Sequence, residues 1–159
     1  MKKTAFLIFG LALGLTTFTS CDKESSTLLD RDTMNGDIVD DTYVISNQQI
    51  QQNTTGVVVR KAEEDEYGLQ VDFLNDSEGM VAVDYTSYSV LGIKASGNCD
   101  VQFQRNVQFN DTDSIVNYTV VVNQQGGCEK LETSSNWVLV PQVPNGYDVE
   151  FEVVTKTLN

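Results

Sequence analysis

Apolar and polar side chains alternate with a period of two through most of this chain, and no other feature constrains its fold as strongly. Successive side chains of a strand point to opposite faces, so such a run describes a strand with one buried face. The clearest run covers residues 99–109. Cys99, Val101, Phe103, Val107 and Phe109 fall on one side, and Asp100, Gln102, Gln104, Asn106 and Gln108 on the other. Arg105 interrupts the apolar side, which predicts a bend or the edge of the domain there. The same alternation marks Leu69, Val71 and Phe73; Val81, Val83 and Tyr85; Tyr118, Val120 and Val122; and Tyr147, Val149, Phe151 and Val153.

Two runs are apolar without alternation, Val90-Leu91-Gly92-Ile93 and Trp137-Val138-Leu139-Val140, as expected of strands covered on both faces. Tyr43-Val44-Ile45 and Val57-Val58-Val59 read as short strands, and no segment sustains a helical period. Roughly eight or nine strands separated by turn residues predict an all-β fold. Two facing sheets bury alternating faces most simply. The expected architecture is a single antiparallel β-sandwich over residues 37–159, with a small β-barrel as the alternative.

The connections are polar. Residues 46–53, rich in glutamine, read as a loop or one helical turn. Glu63-Glu64-Asp65-Glu66 places four carboxylates side by side, whose mutual repulsion predicts a solvated loop. Asn110-Asp111-Thr112-Asp113 has the composition of a hairpin turn. Pairing residue 109 with 114 or 115 and counting back sets residue 99 opposite 124–126.

The chain opens Met1-Lys2-Lys3, continues with an apolar segment at 5–18, and passes through Thr19-Ser20 to Cys21. The apolar segment is about 14 residues, short of the roughly 20 that span a bilayer as a helix. Positive charge, a short apolar stretch and small residues describe a secretory signal peptide. Phe18-Thr19-Ser20-Cys21 resembles the lipobox of bacterial lipoproteins, with Phe18 where a leucine-like residue is usual. The resemblance implies cleavage after residue 20 and lipid attachment at Cys21, with several acyl chains giving a firm anchor. Residues 1–20 are then the lipoprotein signal peptide and 21–36 a polar, flexible, lipid-anchored tether. Cys21-Asp22-Lys23-Glu24-Ser25-Ser26 resembles the signals that send lipoproteins of the Bacteroidetes to the outer face of the outer membrane.

Cys99 and Cys128 remain, an even pair outside the cytoplasm, which points to a disulfide. The hairpin count supports it, because Cys128 lies a few residues beyond the position opposite 99, and Gly126-Gly127 supply adaptable backbone. The spacing is unlike a redox-active Cys-x-x-Cys pair.

The chain has 23 acidic residues, 10 basic ones and no histidine. Loss of residues 1–20 removes Lys2 and Lys3 and brings the net charge to about −15. That charge argues against nucleic acid and against direct docking on anionic head groups. The lack of histidine removes the usual general base of serine and cysteine hydrolases and the commonest zinc ligand. No cofactor motif, phosphate loop or serine elbow is present.

Candidate sites are therefore few. Residues 110–114, and Asp37, Asp40 and Asp41, offer oxygens to calcium, although neither set has an EF-hand pattern, and turn chemistry accounts for the first. Asp113-Ser114-Ile115 and Asp32-Thr33-Met34 resemble Asp-(Ser/Thr)-apolar sites for O-linked glycans in secreted proteins of the Bacteroidetes, which makes Ser114 a candidate glycosylation site. Trp137, Tyr85, Tyr88 and Tyr118 would make a sugar-stacking platform if exposed together, and core residues otherwise.

Val83-Asp84-Tyr85, Val90-Leu91-Gly92, Cys99, Gly127-Cys128-Glu129, Asn136 through Pro141 and Tyr147-Asp148-Val149-Glu150-Phe151 resemble a group of uncharacterised lipoproteins from flavobacteria and their relatives. This resemblance covers about half the chain and implies an envelope location without lending an activity. The last stretch is also similar to the β-rich C-terminal module of lipoproteins that regulate an envelope protease complex. The functional expectation is a non-enzymatic, lipid-anchored module binding a protein or glycan at the outer membrane, on its periplasmic or external face. A protease-associated or protease-inhibiting module is the first alternative, and a small carboxylate-based hydrolase the second.

Overall fold

A single long β-ribbon, folded over on itself, supplies most of the architecture. The computed structural model describes residues 36–38, 43–45, 48–51, 54–73 and 79–158. Within them lie ten strands: β1 Gly36–Ile38, β2 Tyr43–Ile45, β3 Val57–Val59, β4 Gln70–Phe73, β5 Val81–Ala82, β6 Tyr88–Asn98, β7 Asp100–Asn110, β8 Ile115–Gln125, β9 Leu131–Pro141 and β10 Asp148–Leu158. The only helical element among the described residues is a short 3-10 turn, Ala62–Glu64, in the acidic run.

One arm of the ribbon is β6 followed by β7, and the other is β8 followed by β9. β7 pairs antiparallel with β8 from Asn110↔Ile115 to Asp100↔Gln125. β6 pairs antiparallel with β9 from Asn98↔Leu131 to Tyr88↔Pro141. At the middle, one arm passes through the single residue Cys99 while the other spends residues 126–130. This unequal bulge lets the ribbon turn a corner, so that its halves become two facing sheets. Cys99 takes a left-handed φ of 67° and Gly126 one of 96°, the backbone price of the turn.

The hairpin sheet has the order β1-β7-β8-β10 and the facing sheet the order β3-β6-β9. Between them lies the main core, built from Leu91, Ile93, Val107, Val116, Tyr118, Val120, Val122, Val138 and Val140. The fold is an all-β sandwich, as the alternation requires. The hairpin is where the sequence places it, but its register is shifted from the count: residue 109 faces 116 rather than 114 or 115, and residue 100 faces 125.

Three features differ from the expectation of two antiparallel sheets. A third sheet, of order β2-β4-β5, covers the far side of β3-β6-β9. Ile45, Ile50, Val59, Leu69, Val71, Val83, Tyr88, Val90, Trp137 and Leu139 form a second core there. The two runs apolar on both faces, 90–93 and 137–140, are thus the two long strands of a middle layer. Successive residues serve opposite cores: Val138 and Val140 the main one, Trp137 and Leu139 the second.

β10 runs parallel to β8, from Asp148↔Ile115 to Leu158↔Gln125, and is the one parallel pairing among the described residues. Parallel neighbours need a crossover, and β9 in the facing sheet provides it. Finally, the run Val81, Val83, Tyr85 is a strand only at Val81–Ala82. Asp84 ends it by capping a turn: Thr86 N–H, the Thr86 hydroxyl and the Ser87 hydroxyl donate to its carboxylate at 3.0, 2.6 and 2.9 Å.

Candidate functional site

Two structured features stand out at opposite ends of the β7–β8 hairpin, its tip and the disulfide corner. At the tip, Asn110 and Ile115 are the last paired residues. The Asn110 side chain organises the turn. Its Oδ1 accepts from the N–H groups of Thr112 and Asp113 at 3.1 and 3.2 Å, and its Nδ2 donates to the Asp113 carboxylate at 2.7 Å. Ser114 closes the turn in the left-handed region, with φ 56°. The first residue of β10 and the one before it brace the tip from one side: Asp148 N–H donates to the Ser114 carbonyl at 3.0 Å and the Tyr147 hydroxyl to Asp111 at 3.1 Å. Asp111, Thr112 and Asp113 are exposed and Ser114 is half-buried.

Of the oxygens considered for calcium here, Asn110 Oδ1 and Asp113 Oδ2 are engaged within the turn, and Asp111 Oδ1 by the Tyr147 hydroxyl. Among the described residues, no group of three or more His, Cys, Asp or Glu is placed to hold a metal ion. Asp37 lies in β1, its side chain outside the described set, and Asp40 and Asp41 lie outside the described residues altogether. So do Cys21, the segment 18–24 and Asp32-Thr33-Met34.

At the other end of the hairpin, in the middle of the ribbon, Cys99 and Cys128 are joined in a disulfide across a separation of 29 residues. Cys99 N–H also donates to the Lys130 carbonyl at 2.9 Å, so the bridge and a backbone bond clasp the two arms where they turn. Cys99 is buried and Cys128 exposed.

The four aromatic residues weighed as a sugar platform do not form one. Trp137, Tyr88 and Tyr118 are buried, and only Tyr85 is partly exposed. Trp137 packs edge-on to Tyr67, with ring centroids 5.0 Å apart, and its indole N–H donates to the Gln48 carbonyl at 2.7 Å. Tyr118 belongs to the main core.

Arg105 does not mark a bend, since β7 pairs without a break through it. Its backbone stays on the core face opposite Val120, and its guanidinium reaches across the sandwich to donate to the Trp137 carbonyl at 2.9 Å. Burial lowers its pKa from the ordinary arginine value, with the neighbouring Tyr118 acting in the opposite sense.

One residue of the acidic run has a structural role that adjacent charge concealed. Asp65 accepts from Tyr67 N–H at 3.2 Å, Leu69 N–H at 2.8 Å and the Tyr85 hydroxyl at 2.9 Å. Burial, then the bond to Asp65 and its charge, push the Tyr85 phenol well above its ordinary range. Glu63, Glu64 and Glu66 are exposed, as expected of a solvated loop. Glu64 is held below the usual carboxylate range chiefly by the Arg60 N–H. The signal that could have singled out Asp65 is its position between a 3-10 turn and the Tyr67-Gly68 pair that leads into β4.

No protein-family model, curated protein or solved structure matches the chain.

Proposed function

We propose that this chain is a lipid-anchored lipoprotein of the cell envelope whose β-sandwich is a non-enzymatic binding module. The observation that carries the reading is the division of its three cysteines. Cys99 and Cys128 are joined to each other, and the odd one, Cys21, stands directly behind the short apolar segment. A disulfide suits an oxidising compartment, and the resemblance of Phe18-Thr19-Ser20-Cys21 to a lipobox gives Cys21 its own use. The resemblance of Cys21-Asp22-Lys23-Glu24-Ser25-Ser26 to export signals of lipoproteins of the Bacteroidetes supports the outer membrane as the site of attachment. The absence of histidine and the strong negative charge favour a protein or glycan ligand over catalysis or nucleic acid.

Two measurements test this. The mature protein should have a mass that includes acyl chains and an N-terminal Cys21, and Cys21→Ser should release it from the membrane fraction. An unacylated mature chain, or one still carrying residues 1–20, would end the anchored reading. Protease added to intact cells then assigns the face. Loss of the domain without lysis means surface display and a glycan or external protein ligand. Protection until the outer membrane is opened means a periplasmic ligand.

The braced hairpin tip favours a protease-associated module as the second reading. Its exposed residues 111–113 are held by the Asn110 side chain and Tyr147, Asp148 N–H binds the Ser114 carbonyl beside them, and a loop already ordered loses little entropy when it docks. Failure to inhibit or co-purify with any envelope protease would remove it.

A further inference from the structure

β10 is an end strand of its sheet, eleven residues long and paired with β8 on one side. Among the described residues, no strand pairs with its other edge. Long free edges are usually shortened, covered or bulged, because their unpaired N–H and C=O groups recruit another strand. The facing sheet gives little cover, since its β3 spans only Val57–Val59. Val149 and Phe151 pack against the main core, but Val153, next on the same face, is 40% exposed, and Leu158 at the end of the strand is 49% exposed.

The charges on β10 are arranged with a direction. Asp148, Glu150 and Glu152 occupy its first half and Lys156 its second, all exposed. We propose that two copies of this chain pair antiparallel along the free edges of β10, with Val153 on the two-fold axis, joining two four-stranded sheets into one continuous sheet. In that register Glu150 faces Lys156 of the second copy twice, Glu152 faces Val154, and the two exposed Val153 side chains cover each other. Centring on Glu152 would set two carboxylates face to face, which opposes pairing. Centring on Val154 would leave Val153 beside Thr155 rather than against its own copy. The isologous contact closes on itself, so it yields a dimer rather than a filament. The two copies are both acidic, but at physiological salt repulsion beyond about 8 Å is screened, which leaves the short-range pairs to decide. This pairing does not depend on whether Cys21 carries lipid.

The test uses the full chain in cells. Residues facing themselves across an antiparallel pair have Cα atoms about 4.5–5.5 Å apart, within reach of a disulfide. Val153→Cys should therefore give a covalent homodimer under mild oxidation, and Thr155→Cys, about four residues from its own copy in this register, should give little. Glu150→Lys or Lys156→Glu in the Val153→Cys background should each lower the cross-linked fraction several-fold, and the two together should restore it. Peptide mapping of the Cys99–Cys128 bridge and the melting temperature of each variant check that it folds. A folded Val153→Cys chain that stays monomeric overturns the proposal. So does a dimer indifferent to the charge reversals, equal cross-linking at Thr155, or a cross-link to a different protein.

Discussion

The hydroxyl of Tyr118 donates a hydrogen bond to the backbone carbonyl of Asn136 at 3.0 Å, from one sheet of the sandwich to the other through the middle of the main core. Tyr118 is fully buried and is the largest side chain among the described residues to be so. Its ring meets Phe151 edge-on, with centroids 6.1 Å apart, so one side chain links β8, β9 and β10. Removing the hydroxyl strands a buried acceptor while keeping the ring. Tyr118→Phe should cost about 1–3 kcal/mol and Tyr118→Ala about 3–5 kcal/mol, read as shifts in the urea midpoint at constant slope. Equal losses from the two substitutions would mean that the hydroxyl, not the packing, dominates.

The disulfide acts on the corner rather than on the open end of a simple hairpin. It closes a loop across a separation of 29 residues, for which chain-entropy reasoning gives about 3.6 kcal/mol, an upper-end figure. Replacing both cysteines by serine should lower stability by up to that amount, measured by denaturant unfolding beside the unreduced parent. Replacing Cys128 alone leaves a thiol at Cys99, which is buried, and Cys99 keeps its backbone bond to Lys130. That single variant should still fold, because the corner retains this second clasp. Loss of folding in the single variant would show that the bridge, not the bulge, sets the corner.

Gly92 and Trp137 are directly opposed in the β6–β9 ladder, and the indole lies over the glycine. A Cβ on Gly92 would clash with Cε3 and Cζ3 of the Trp137 ring. The ring cannot swing away easily, since it packs edge-on against Tyr67 and its N–H is bound to Gln48. Gly92→Ala should destabilise by about 1–3 kcal/mol through overpacking, and the tryptophan fluorescence of the native state should change. An alanine variant with parent stability and spectrum would mean that the second core repacks freely.

These residues also show what could be read before the structure. The long strands were legible because each buries one face, or both, and burial writes itself as a period of two or as a continuous apolar run. The hairpin itself followed from its turn residues, its register only to within a residue or two, because Asn110 and Ile115 still pair beside the turn. The strands of the third sheet were legible as strands, but with two to four residues each nothing within them says that they pair with one another rather than extend the other two sheets. The parallel direction of β10 left no mark, since the order of strands in a sheet is decided by how the ribbon folds and not within any one strand. Arg105 was misplaced for a related reason: a half-buried cation on a core face is intelligible only when the Trp137 carbonyl across the sandwich is known. Asp65 was hidden by its neighbours, three carboxylates of the same charge that remain in solvent.

The bond from Tyr85 to Asp65 carries a pH signature. Burial and the adjacent carboxylate raise the Tyr85 pKa in the folded state, so the folded chain holds that proton more tightly than the unfolded one. The stabilisation is complete below the ordinary phenol value of 10.0 and is lost as pH rises above it toward the folded value. Tyr85→Phe removes this titration. At neutral pH the variant should be less stable by about 0.5–1.5 kcal/mol, since Asp65 loses a donor. Above pH 10 the gap should narrow, because only the parent is penalised for keeping Tyr85 neutral. Denaturant midpoints of both proteins between pH 7 and about 11.5 make the comparison, and the shared alkaline effects of other groups cancel between them. Parallel curves across that range would mean that Tyr85 ionises in the folded state as readily as in the unfolded one.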